Sequence, residues 1–258
     1  MTLEKLTSHN VKEVIYAAKH AKFYSVIAKL FSTCDGRDKF MKVIQYTLAL
    51  LMLIGIKPYN LIPKLQPKIQ NIIGMFGDTR KVIRLGNFTS NLSKLIYLVQ
   101  GKGLNPSKKL SELENSHYNL LVLRYTSEMI NNITDDLYCL GKFGVIDKSI
   151  QPIVKPISIN LWWTTLSIDM YLNFRKLINL HSQQELDRLR GDPVNQKLEA
   201  ELSTLKWTMT KIGADMIFCA YDLFNIKANP HYQHSSGILS GLISASRLWT
   251  STYSSVTY

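Results

Sequence analysis

Acidic residues are scarce in this chain: 19 Asp and Glu stand against 31 Lys and Arg over 258 residues, a formal charge of +12. That balance points to an anionic partner, either acidic headgroups or nucleic acid, or to a basic solvated surface. Charge of both signs is sparse, at 19% against the roughly 25% usual in soluble domains. Cysteine is nearly absent. Cys34, Cys139 and Cys219 are far apart, odd in number and without CxxC or metal-ligand spacing. A disulfide framework is therefore excluded, and free thiols in a reducing compartment are expected. The opening MTLEKLTSHNVKEV has no apolar h-region, so a secretory signal is not expected. The sequons at Asn87, Asn91 and Asn132 then read as chance matches. The final SSVTY is not a peroxisomal matrix address.

Long hydrophobic runs are missing too. Residues 43–56, 156–168 and 228–246 are free of Asp, Glu, Lys and Arg, yet none reaches 18 strongly apolar residues. The last of these opens a tail in which Arg247 alone carries charge from Ala228 to Tyr258. Such a tail fits a buried or membrane-associated helical hairpin.

Catalytic chemistry finds no support. Gly101-Lys102-Gly103 lacks the third glycine of a nucleotide fingerprint, and there is no Walker motif. His231 and His234 have no acidic or Cys partner nearby in sequence. The adjacent Asp135 and Asp136 diverge on a helix. Asp35 beside Cys34 would raise a thiol pKa, the wrong direction for a nucleophile. No enzyme activity, cofactor or metal is expected. Basic clusters interleaved with aromatics are not evident, which places nucleic-acid binding last.

What is there is helical periodicity throughout, without a convincing alternating strand run. We expect an all-α chain: a membrane-associated helical bundle with an interfacial amphipathic helix and short hydrophobic segments. The first helix covers 10–31, and a break follows at 32–36 with Asp35 as N-cap of the next. Pro58, Pro63 and Pro67 punctuate the chain, so a helix starts near Pro67 and runs to about Leu85. Helices follow at 89–100 and about 110–141. Residues 142–158, with Pro152 and Pro156, read as irregular. Helices resume at about 159–190, stopped by Gly191-Asp192-Pro193, and at about 194–226.

Two faces stand out. On a wheel of roughly 100° per residue, Leu61, Ile62, Leu65, Ile69, Ile72, Ile73, Phe76 and Ile83 share an arc of about 120°. Gln66, Gln70, Gly74, Gly77, Asp78 and Lys81 lie opposite, and Lys64, Lys68, Arg80 and Arg84 supply cations on the flanks or polar side. Such a helix can lie in a membrane interface or on a protein core. Leu198, Leu202, Leu205, Met209, Ile212, Met216, Cys219 and Leu223 form a heptad seam, suited to self-association or to packing inside one bundle. Gly237, Gly241 and Ala245 put small residues on one face, where two helices can approach closely.

Four blocks carry a family resemblance: LFSTCDGRDKFMKVIQY at 30–46, RKVIRLG at 80–86, DDLYCLGKFGVI at 135–146 and SSGILSGLISASRLW at 235–249. In this order they resemble the peroxin eleven family. The whole of 1–258 then reads as a single domain of that kind. Its signature turn is Asp35, Gly36, Arg37, Asp38 and Lys39, where Gly36 permits a tight turn and Asp35 or Asp38 can cap. The linker at 181–206 matches nothing in the pattern. The resemblance implies a peroxisomal membrane protein, or a glycosomal one in some protists, that elongates the membrane before fission. It implies an anionic phospholipid membrane, further copies of the chain, a fission adaptor and a dynamin-like GTPase as partners. It places the membrane-active helix at 61–85, the stretch that the wheel selects. The alternative it leaves is a channel for small metabolites.

Overall fold

The computed structural model describes residues 20–54, 62–103, 112–191 and 195–256, which form helices and their connections, with no strand among them. A first helix, α1, covers 20–32. It is followed by α2 (Cys34–Ile54), α3 (Ile62–Val82), α4 (Phe88–Gly103), α5 (Glu112–Lys142), a 3-10 turn (Lys148–Ile150), α6 (Gln151–Arg190), α7 (Gln196–Leu223) and α8 (His231–Ser255). Among the described residues, no helix is long and apolar enough to cross a membrane.

Neighbouring helices close a ring: α5 packs on α6, α6 on α7, α7 on α8, α8 on α2, α2 on α3, and α3 touches α5. α4 lies outside the ring on α5. The start of α1 meets the last turns of α8, with Phe23 on Trp249 and Lys22 over the Tyr253 ring. Aromatic rings bridge the middle, from Tyr46 of α2 to Phe218 of α7 at 5.1 Å and on to Trp162 of α6 at 6.1 Å.

The heptad seam of α7 is used inside the chain. Leu198, Leu202 and Leu205 pack on Leu180 and Leu177 of α6. Ile212 and Cys219 pack on Leu166, flanked by Met216, Ile159, Trp162, Trp163 and Met170. Met209 is half-buried along the same line. Burying the seam supplies the tertiary stabilisation that helical propensity alone does not. Asn195 caps α7, its side chain accepting from Lys197 N and Leu198 N.

Three boundaries differ from expectation, each for a local reason. The break before α2 is one residue, Thr33. Its hydroxyl oxygen accepts from Gly36 N at 3.1 Å, so Thr33 is the N-cap and Asp35 sits in the first turn. α3 starts at Ile62, not near Pro67; that proline falls inside the helix, close enough to its start that few carbonyls lose a donor. α6 starts at Gln151, because Pro152 occupies the first turn, where a missing N–H costs nothing, and Pro156 follows one turn later. At its far end Gly191 adopts φ 72°, closing α6 with a left-handed cap. Leu61 and residues 10–19 lie outside the described residues.

Among the described residues, many large apolar side chains stay in contact with water, Val145, Ile153 and Leu189 among them. The largest side chains sealed to under 2% exposure are Val26, Cys139, Cys219 and Ser240. The bulky apolar residues are therefore mostly half-covered.

Candidate functional site

The four sequence blocks, scattered over two hundred residues, meet in space, and charge joins them. Asp38 of α2 is buried and accepts from Arg80 Nε of α3 at 2.9 Å. Arg80 Nη1 also donates to Gln45 Oε1 at 2.9 Å. Lys39 and Arg84 lie 3.1 and 3.7 Å from the same carboxyl group. Burial alone would raise the pKa of Asp38, but Arg80, Lys39 and Arg84 outweigh it and hold the carboxyl below its ordinary value.

One turn along α2, Lys42 reaches the other side of the ring. Its Nζ donates to Asp215 Oδ1 of α7 at 3.1 Å and to Ser240 Oγ of α8 at 2.5 Å. Lys211 stands 3.3 Å from the second oxygen of Asp215. Burial pushes the Lys42 ammonium down, while Asp215, buried yet facing Lys42 and Lys211, is held below the usual carboxylate range. The third block enters through Asp136 of α5, whose Oδ2 accepts from Gly86 N at 3.0 Å. Its neighbour Asp135 turns to Ser158 of α6 at 2.9 Å, so the two carboxylates diverge.

Glycines make these approaches possible. A Cβ on Gly36 would lie 2.0 Å from the Leu30 carbonyl oxygen, so the chain passes from α1 to α2 only with glycine there. A Cβ on Gly237 would meet the Tyr46 ring at 2.8 Å, and one on Gly241 would meet Val43 at 3.1 Å. The small-residue face of α8 thus seats α2 within the chain, with Ala245 half-buried beside it.

The amphipathic segment is distributed differently from its wheel. Arg80, expected beside lipid headgroups, is buried, because a guanidinium away from water needs the carboxylate that Asp38 provides. Arg84 is partly exposed and leans toward Asp38. Lys68 is exposed. Asp78 pairs with Lys142 of α5, and Lys81 stacks over the Tyr138 ring at 3.8 Å. Of the apolar stripe, Ile69, Ile73 and Phe76 are half-buried. Leu65 and Ile72 keep 39% of their surface exposed, and Met75 and Val82, outside the expected arc, keep 55% and 45%. The stripe straddles the edge of the protein, one side on α2 and α5, the other uncovered.

In the signature turn, Asp35 pairs with Lys39 at 2.9 Å on the surface. Arg37 is exposed and reaches back toward the Thr33 carbonyl. Sequence reasoning missed Lys42, Gln45 and Asp215. Each is an ordinary polar residue on a helix, and no local spacing marks its partner 35 to 198 residues away. Among the described residues no cluster of His, Cys, Asp and Glu could hold a metal.

No curated protein and no solved structure matches the chain. A family model does, that of Peroxisomal biogenesis factor 11 (PEX11), over residues 24–249. This span takes in all four blocks and the network that ties them together, so the chain belongs to the peroxisomal biogenesis factor 11 family.

Proposed function

We propose that this biogenesis factor remodels and elongates the peroxisomal membrane during proliferation and fission, with α3 as a wedge in one leaflet. One observation carries the reading: α3 is held to the bundle on one side while Leu65, Ile72, Met75 and Val82 stay uncovered on the other. Together they leave roughly 300 Å² of apolar surface in water, worth about 8 kcal/mol on transfer to hydrocarbon before ordering costs. Lys68 is exposed on the same helix, and a cation near an anionic leaflet adds about 1 kcal/mol. A helix inserted to the acyl boundary expands one leaflet and favours positive curvature. Self-association and recruitment of a fission adaptor and dynamin-like GTPase belong to the same proposal. They would use surfaces other than the α7 seam, which α6 already covers.

The test uses the full chain on liposomes containing phosphatidylinositol. The double variant Ile72→Glu, Met75→Glu places two carboxylates on the uncovered side of α3 and should abolish tubulation seen by electron microscopy, with helicity unchanged. Ile69→Glu and Phe76→Glu are poorer probes, since those residues are half-buried and their loss also disturbs packing. Tubulation at the wild-type level would refute the wedge.

A further inference from the structure

The connection between α5 and α6 is built rigidly, yet it presents apolar side chains outward. Gly144 adopts φ 73°, and Val145 N donates to Leu140 O at 3.0 Å, closing α5. Asp147 then caps the 3-10 turn, accepting from Ser149 N at 2.8 Å. Ile150 presses on Gly141, where an added Cβ would lie 3.0 Å from its Cγ2. Val154 and Ser158 are buried, and the Ser158 hydroxyl lies 2.7 Å from Asn131 Oδ1 of α5.

Ile153 and Ile157 lie beside Val154 and Ser158 on the same side of α6, at the margin of the packed face, where they stay uncovered. Ile153 is 62% exposed, Val145 is 69% exposed, and Phe143 and Ile157 are also exposed. A mobile loop could display such residues without consequence; a hydrogen-bonded turn fixes them in place.

We infer that this α5–α6 corner, through Phe143, Val145, Ile153 and Ile157, is a second contact with an anionic phospholipid surface, separate from α3. Charge complementarity selects lipid. Lys148 and Lys155 are exposed beside the apolar residues, and the neighbouring acid Asp147 is engaged in capping. Continuity supports it as well. α3 runs antiparallel to α5, with Asp78 at Lys142 and Lys81 at Tyr138, so the half of α3 bearing Leu65 and Ile72 extends toward this same corner. A bilayer that meets one reaches the other, and two anchors fix the orientation of the bundle on the membrane.

The test places an environment-sensitive fluorophore at Ile153→Cys or, separately, at Ile72→Cys in the full chain. Cys34→Ser removes the exposed thiol, while Cys139 and Cys219 are buried. Vesicles of phosphatidylcholine with phosphatidylinositol are compared with phosphatidylcholine alone, and binding is read by co-sedimentation. The inference expects a blue shift and quenching by bilayer-resident quenchers at position 153 on the anionic vesicles. It also expects roughly tenfold or greater weakening of vesicle partitioning in Ile153→Glu, Ile157→Glu. A shift at 72 with none at 153 overturns this inference and leaves the wedge standing; the reverse overturns the wedge alone. Sedimentation with neither probe shifted, or no sedimentation, overturns both. A shift at 153 that appears without vesicles as protein concentration rises assigns the corner to a second copy and overturns the lipid assignment.

Discussion

Removing one carboxylate gives the sharpest test of how α3 is held. Asp38 and Asp35 lie one turn apart on α2, each with a cation within 3.1 Å, but Asp38 is buried and Asp35 is exposed. Asp38→Ala strands the Arg80 guanidinium, itself buried, with Gln45 as its remaining partner and Arg84 beside it. Breaking a buried pair from one side costs about 3–5 kcal/mol, a large share of the roughly 5–15 kcal/mol that a domain has in total. Asp35→Ala removes an exposed i,i+4 pair worth about 0.3–0.5 kcal/mol. Urea unfolding followed by circular dichroism should therefore separate the two variants widely, and amide exchange should place the loss first on α3. The pH dependence fixes the sign. The folded carboxyl of Asp38 lies below its ordinary value, so its contribution is complete above the unfolded value of about 3.9 and disappears as pH falls through the lower folded one. The gap between wild type and Asp38→Ala should thus shrink below about pH 4. If the two alanine variants unfold within about 0.5 kcal/mol of each other at neutral pH, Arg80 is not dependent on Asp38 and the reasoning from burial fails.

Other consequences are open to the same measurements. Gly237→Ala should destabilise by about 1–3 kcal/mol, since Tyr46 is hemmed in by Phe218 and His234. Gly74→Ala, with nothing within 4 Å of the new methyl, should stabilise α3 by about 0.4–1 kcal/mol. Leu202→Ala, in the sealed part of the α7 seam, should cost about 2–5 kcal/mol in the same unfolding experiment. Alkylation followed by mass spectrometry should label exposed Cys34 in the folded protein and spare Cys139 and Cys219. Burial raises the pKa of both thiols, that of Cys219 to about 12.

Periodicity made the helices legible, and length and breakers placed most of their ends. The α7 seam was readable because Leu and Ile at heptad spacing recur however the chain folds. Pro152 and Pro156 misled because proline both starts and breaks helices, and the choice depends on the 3-10 turn that docks on Gly141. The amphipathic stretch was visible, but the split between its covered and uncovered sides was not. That split follows from where Asp38 and Gln45 stand in space. Arg80 and Lys68 are both cations of one amphipathic stretch; a buried carboxylate on another helix draws Arg80 inward. Gly36 was legible as a tight turn, while the Leu30 carbonyl that makes glycine obligatory came into view only with the packed backbone.

The ion pair between α2 and α3 bears on how fragments behave. Cut free as a peptide, the 61–85 segment would carry Arg80 and Arg84 without the Asp38 carboxylate that Arg80 binds and Arg84 approaches in the intact bundle. Its pull toward anionic vesicles would then exceed that of the same helix in place, and its depth and tilt would be set by charges the whole protein keeps to itself. Curvature measured with an excised helix describes a more cationic object than the helix in the intact protein.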